Sequence, residues 1–369
     1  MKIIFICGSL EPGRDGVGDY VRCLSSELIL QGHTTAAIAI NDKHVEDFCE
    51  ERQNFRNSSL PTLRISNIRL LKFHITYIRN WIDQFNADII SLQFVPFSFH
   101  KKGLLTGLGK HLKLLAPDRN WHVMFHELWV GMAKESSLKL KIWGTIQKRI
   151  VRQMLEEIQP KSIHTNTSLY QKQLQLLGFK SKYLPLFSNL PNEINLQVDF
   201  KNGKIKNTIY FIIFGMIHPG ASIEKFAKEI AAYGQKQNLK IILRIVGRSG
   251  EQVKLFEQIW MAQRLQVEVY GEKPGNFISE LLRTSSVGIT TNPMSLVEKS
   301  GTVAAMLEHG LPVLSIAELW RPRIKIDKVS IAGVLQYNIT NLELCLKGKV
   351  SNQYNSVSEV SKFFIDSIK

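Results

Sequence analysis

Short apolar runs rich in β-branched residues alternate with helical periodicities along this chain, and midway the alternation starts again. Residues 2–7 form a strand-like run, a Gly-containing loop follows, and residues 20–31 carry apolar side chains at helical spacing, Val21, Leu24, Leu28 and Leu30. Gly32 ends that helix. Strand patterns return at 35–40, 88–94 and 122–125, with helical patterns at 75–85 and 104–115. Strands that alternate with helices imply a parallel sheet, wound right-handed and covered on both faces. After the turn-rich stretch 184–195 and the polar stretch 199–207, a second series opens with strand 208–214. It continues through helix 223–233, strand 240–246, helix 251–264, strand 266–270, helix 276–284, strand 287–291, helix 302–309 and strand 312–316. The predicted fold class is therefore α/β, with two Rossmann-like, doubly wound parallel-sheet domains over 1–190 and 208–350, a linker near 190–207, and a C-terminal helix within 351–369. The length, 369 residues, is ample for two cores. Ligands of such sheets sit at the carboxyl ends of the strands, and two facing halves make a cleft.

Composition removes several alternatives. With 44% hydrophobic and 21% charged residues the chain is not of the disordered class. Cys7, Cys23, Cys49 and Cys345 lie far apart without a CxxC pair, which argues against a zinc site or a disulfide framework and fits a reducing cytoplasm. The apolar run at the N-terminus stops at Gly8, too short for a signal peptide or membrane anchor. The net charge of +15 is concentrated in 99–182, which holds 15 Lys and Arg against 5 Asp and Glu. Anionic lipid headgroups, phosphorylated substrates or nucleic acid would be attracted there, and a solvated basic surface without a partner explains it equally well. The region lacks interleaved aromatic platforms and any nucleic-acid module, which argues against nucleic acid. Within it, residues 134–152 place Lys134, Lys139, Lys141, Lys148, Arg149 and Arg152 among Leu138, Leu140, Ile142, Trp143 and Ile146. The pattern suits either an ordinary surface helix with a core face or a basic helix in peripheral contact with the inner face of a membrane.

Four places carry chemistry. Gly16 and Gly18 lie in the first loop, at the start of the first helix, where glycines let ligands approach amide groups and the helix dipole favours an anion. A merely flexible loop is the bland reading, and the spacing is not GxGxxG. His126 follows strand 122–125, where an imidazole at the carboxyl end of a strand could hydrogen-bond a ligand, although a satisfied core histidine is the ordinary alternative. In the second half, Gly215 ends the first strand and Arg248 follows Gly247 at the end of another. Lys299, Ser300, Gly301 and Thr302 put a cation, two hydroxyls and amide groups at one helix N-terminus, a combination suited to a diphosphate or to a simple N-cap with a solvated Lys.

These elements resemble family 4 glycosyltransferases of the GT-B fold. The likeness is carried by Gly16-Val17-Gly18, Tyr20-Val21, Leu24, Leu28 and Gly32-His33, by Asp88-Ile89-Ile90 and His126-Glu127, by 162–178, and by Glu298, Gly301 and Gly310-Leu311-Pro312-Val313. The resemblance implies a retaining transfer of a hexose-type sugar from a nucleotide diphosphate sugar to a glycan, lipid-linked or small-molecule hydroxyl, without metal or separate cofactor. It further implies that His126 contacts the donor sugar, that Glu298 holds sugar hydroxyls, and that the C-terminal helix packs on the N-terminal domain. Gly16, Gly18, Gly215, Arg248, Lys299, Ser300, Gly301 and Thr302 are the expected donor-binding positions, the Gly16 loop and basic region also facing the acceptor. The chain departs from the family pattern where Met216 stands for an Arg, where Ala221-Ser222 replace a Lys, and where Ala305 takes the place of a ribose-binding Glu, Glu308 lying nearby. Arg248 and Lys299 are the candidate substitutes for the missing cations. A catalytically degenerate homologue that binds a sugar, a nucleotide or a partner is the alternative reading.

Overall fold

The computed structural model describes residues 1–67, 71–190, 207–327, 329–350 and 354–369, so most of the predicted linker 190–207 lies outside the described residues. The chain divides into two compact units, Met1–Pro185 with Arg321–Ile326 and Val357–Lys369, and Leu186–Trp320 with Asp327–Ser356.

The first unit runs β1 (Lys2–Cys7), α1 (Gly16–Leu30), β2 (Thr34–Ala39), β3 (Phe48–Phe55), β4 (Ser58–Ile65), α2 (Leu71–Phe85), β5 (Ile89–Phe94), α3 (Pro96–Phe99), α4 (Leu108–Leu115), β6 (Asn120–Phe125), α5 (Leu138–Ile158), β7 (Ser162–Thr165), α6 (Ser168–Leu176) and β8 (Lys182–Tyr183). Its sheet order is β3-β4-β2-β1-β5-β6-β7-β8. The central strands β1 and β5 are buried almost throughout, which their continuous apolar sequences require once both faces are covered. The sheet is not purely parallel as the alternation suggested: β3 runs antiparallel to β4 at the edge. Its charged residues Glu50, Glu51 and Arg52 protect an exposed edge, and Pro61 in β4 stands just outside the ladder to β2, which spans Thr62 to Arg64. α1 starts at Gly16 rather than Tyr20 because Asp15 caps it, and α4 starts at Leu108 rather than Leu104 because Gly107, at φ 77°, cannot continue a helix backwards.

The second unit runs β9 (Thr208–Phe214), α7 (Ile223–Gln237), β10 (Lys240–Val246), α8 (Gln252–Ala262), β11 (Gln266–Gly271), α9 (Gly275–Arg283), β12 (Val287–Thr290), a short 3-10 helix (Met294–Lys299), α10 (Gly301–Glu308), β13 (Val313–Ser315), β14 (Val334–Gln336) and α11 (Ile339–Leu346). Among the described residues its strand ladders are parallel, in the order β11-β10-β9-β12-β13-β14, with one isolated antiparallel bridge between Ala221 and Ala317. Along β9, Ile209, Phe211 and Ile213 pack with Phe226, Ile230, Phe256 and Trp260 on one face, and Ile212 packs with Leu281, Val303 and Met306 on the other. Period-2 alternation therefore feeds two cores, one beneath α7 and α8 and one beneath α9 and α10.

The last helix, α12 (Val357–Ile368), belongs to the first unit. Phe364 sits against Phe5, His122 and His164, at ring-centroid distances of 6.1, 5.2 and 6.4 Å, and Gln31, the C-cap of α1, donates to the Ser361 hydroxyl at 2.7 Å. The segment Arg321–Ile326 also joins this unit: Lys134 N–H donates to Arg321 C=O, Arg323 N–H donates to Met132 C=O, and Arg321 pairs with Glu135.

Candidate functional site

In a doubly wound sheet the two loops that leave neighbouring strands toward opposite faces open a crevice at the carboxyl edge. In the second unit that point lies between β9 and β12, because β9 is followed on one side by β10 and β11 and on the other by β12 and β13. The loop after β9 is stitched to both neighbours. Gly215 N–H donates to Val246 C=O and Ile217 N–H to Ser249 C=O, while His218 N–H donates to the Thr291 hydroxyl at 2.9 Å. Gly215 is held at φ 82°, and a Cβ there would lie 2.7 Å from the Thr302 methyl. Only glycine combines that backbone conformation with so close an approach to the start of α10.

α10 begins at Gly301, with Ser300 as its N-cap. The Ser300 hydroxyl accepts from Val303 N–H and contacts the Thr302 hydroxyl at 3.1 Å, and Asn292 Nδ2 donates to it at 3.2 Å. Among the described residues the amides of Gly301 and Thr302 find no acceptor, so two N–H groups and two hydroxyls converge beside Gly215 with no carboxylate among the groups that cap the turn. The structure thus brings together Gly215, Ser300, Gly301 and Thr302. Glu298 and Lys299 precede them on the 3-10 helix, both partly buried. Arg248 follows Gly247, whose own Cβ would meet Gly215 N at 3.1 Å, but its guanidinium is paired with Glu272 at 2.9 Å. As a substitute phosphate ligand it would have to share or exchange that partner. Met216 is exposed, and its sulfur would lie 3.1 Å from a Cβ at Gly250. Ala305 is buried in the core beneath α10, so the position matched to a ribose-binding Glu faces inward, and Glu308 is the last residue of α10.

The first unit treats its corresponding edge differently. The Asp15 carboxylate accepts from Val17 N–H at 3.0 Å and Gly18 N–H at 2.8 Å. Two amides of the helix start expected to face a bound anion, those of Val17 and Gly18, are thus answered by a carboxylate of the chain, and burial raises the Asp15 pKa above its ordinary value. Gly18 has another reason to be glycine: a Cβ would meet the Ser9 carbonyl oxygen at 2.4 Å, so it lets α1 lie against its own loop. A denser ion cluster locks the loop to the sheet, with Arg64 bonded to Asp42, Glu11 and Glu51, and Arg22 to Asp19 and the Leu10 carbonyl.

His126 stands at the end of β6, buried, with Tyr20 of α1 edge-on to its ring at 4.8 Å. Its Nε2 donates to Gln93 Oε1 at 2.8 Å, Gln93 donates to the Ser91 hydroxyl, and the row continues through Ser91–His122 at 2.7 Å and His122–His164 at 2.9 Å. Desolvation lowers the His126 pKa to about 3 and that of His164 to about 4, and His122 is held well below its ordinary value. His126 is therefore a neutral ring whose proton sits on Nε2, leaving Nδ1 an acceptor. Of the turn after β7, Thr167 caps α6 by accepting from Tyr170 N–H, and Asn166 is buried. Gln93 and Ser91 escaped the reading of the sequence, though two polar residues in an otherwise apolar strand were a visible signal, as were Thr290, Thr291 and Asn292 at the end of β12.

No family model matches the chain, and no curated protein matches it in sequence. Solved structures do. Anabaena HepE in complex with UDP and glucose aligns with a TM-score of 0.62 at 15% identity, covering 100% of this chain and 99% of that one. UDP-GlcNAc 2-epimerase from Methanocaldococcus jannaschii aligns at 0.57 and 12% identity, covering 99% of each chain, and a glycosyltransferase from Rickettsia africae at 0.58 and 10%, covering 100% and 93%. The fold is accordingly the GT-B class, α/β with two parallel-sheet units.

Proposed function

We propose that this protein is a nucleotide-sugar-dependent glycosyltransferase whose second unit holds the donor diphosphate. The observation that carries the reading is the glycine at Gly215 pressed against Thr302, beside the amides of Gly301 and Thr302, which find no acceptor among the described residues. Aligned amides at a helix N-terminus stabilise the negative charge that grows on a leaving diphosphate. In this scheme Lys299 and Arg248 supply cationic charge, and Glu298 accepts from sugar hydroxyls. Neutral His126 accepts a hydroxyl hydrogen bond through Nδ1, and the acceptor is a glycan or lipid-borne hydroxyl. Transfer proceeds with retention and without metal.

Incubation with UDP-, GDP- and ADP-sugars and a panel of glycan and lipid-linked acceptors, followed by mass spectrometry, tests this. A glycosylated product lost in His126→Ala and Glu298→Gln is expected; absence of binding to every donor would sink the proposal. Met216 and the core-facing Ala305 favour a second reading, a protein that binds a sugar nucleotide without transferring the sugar. Donor binding without turnover across the acceptor panel would select it.

A further inference from the structure

The two halves of α5 are turned in opposite senses. In its C-terminal half the apolar residues Ile150, Val151, Met154, Leu155 and Ile158 are buried. In its N-terminal half the inward positions are instead Gly144 and Gln147. A Cβ at Gly144 would lie 2.0 Å from the Val130 carbonyl oxygen, and Gln147 accepts from Val130 N–H and donates to Lys102 C=O. Small and polar groups thus hold this half of the helix against the unit, and its large apolar residues point to solvent. Leu138, Ile142 and Ile146, spaced four apart, are 72%, 56% and 44% exposed, with Leu140 and Phe97 alongside. Phe97 reaches the patch through Trp143, whose ring stands edge-on to it at 6.2 Å and whose Nε1 donates to Lys102 C=O.

An aqueous surface helix puts its apolar stripe inward; here the stripe is outward for more than two turns. The charge around it has one sign. From Leu138 to Leu155 there are Lys139, Lys141, Lys148, Arg149 and Arg152 and no carboxylate, and Lys101, Lys102 and Lys134 are exposed nearby. The nearby Glu135 is paired with Arg321. An apolar stripe rimmed by lysines matches a surface that is itself apolar beneath and anionic above. We infer that the N-terminal half of α5, with Phe97 and its lysines, docks on an anionic lipid bilayer, Leu138, Ile142 and Ile146 entering the headgroup boundary. No helix among the described residues is long and apolar enough to cross a membrane, so this contact is peripheral. The inference stands apart from the sugar-nucleotide reading.

Sedimentation of the full chain with vesicles of phosphatidylglycerol and phosphatidylcholine in about equal amounts, against phosphatidylcholine alone, tests it. Binding to the anionic vesicles only, weakened by salt, is expected, with a loss of roughly tenfold in Ile142→Glu and in Lys139→Glu/Lys141→Glu. Both variants alter exposed or rim positions, and unchanged circular dichroism confirms their fold. Equal sedimentation with both vesicle types, or binding indifferent to Ile142→Glu, overturns the inference. So does a concentration-dependent dimer that Ile142→Glu dissociates without any vesicle binding in the wild type.

Discussion

The carboxyl edges of the two sheets share an architecture and differ in what stands at the helix start. In the first unit Asp15 brings a carboxylate to the amides of α1, and Gly18 serves packing. In the second unit a neutral hydroxyl, Ser300, caps α10, the next two amides find no acceptor among the described residues, and Gly215 lies close to the Thr302 methyl. One edge answers its helix amides with a carboxylate of the chain, and the other caps its helix with a neutral hydroxyl. Two glycine-bearing βα loops can thus look alike in sequence and differ in the charge of the group that caps the helix behind them.

The units differ as well in what they bury, and acid exposes this with the largest expected effect. His126, His122 and His164 are neutral in the first unit, whereas in the second the lowered histidine is His309. A histidine whose folded pKa is depressed binds fewer protons folded than unfolded, so stability falls as pH drops below about 6.5 and keeps falling toward the folded value. At pH 5 this amounts to about 2 kcal/mol for each ring that stays neutral. Calorimetry from pH 7 to 5 should show the transition of the first unit moving down much further than that of the second, and His126→Gln should reduce the slope. Parallel shifts of both transitions would remove this contrast.

Gly215→Ala is expected to come next. A Cβ in the left-handed region next to the Thr302 methyl should weaken donor binding roughly 30-fold, about 2 kcal/mol. Adding Thr302→Ser removes the methyl and should restore part of the affinity in titration calorimetry; no recovery would place the glycine's role in backbone strain alone. Asp15→Ala should lower stability by about 1 kcal/mol in urea denaturation, as loss of an N-cap does, with donor affinity unchanged. A weakened affinity would mean the first loop does bind the donor. Arg248→Ala is the smallest for the fold, within about 0.5 kcal/mol because the Glu272 pair is half-exposed, but it should raise the donor Kd several-fold if the guanidinium changes partner.

Alternation of strand and helix made the two-sheet architecture legible, since continuous apolar runs such as 3–6 and 209–213 are buried on both faces. The β3–β4 hairpin was hidden because an edge strand carries charges in place of a clean alternation. The glycines of the candidate site were visible by position and not by purpose. Gly18 and Gly215 both stand near helix starts, and only their neighbours, Ser9 and Thr302, separate a packing glycine from a site-clearing one. Asp15 precedes Gly16 in plain view, yet its capping role depends on a backbone turn that spacing alone does not specify. The Gln93–His126 bond joins adjacent strands, a register known only once the sheet is assembled.

Hydrogen–deuterium exchange of the full chain with and without saturating UDP, GDP or ADP reads which of the two edges holds the nucleotide. New protection is expected in the loops after β9 and β10 and across residues 291–304, with residues 8–20 unchanged. Protection centred on residues 8–20, with none in the second unit, would contradict it.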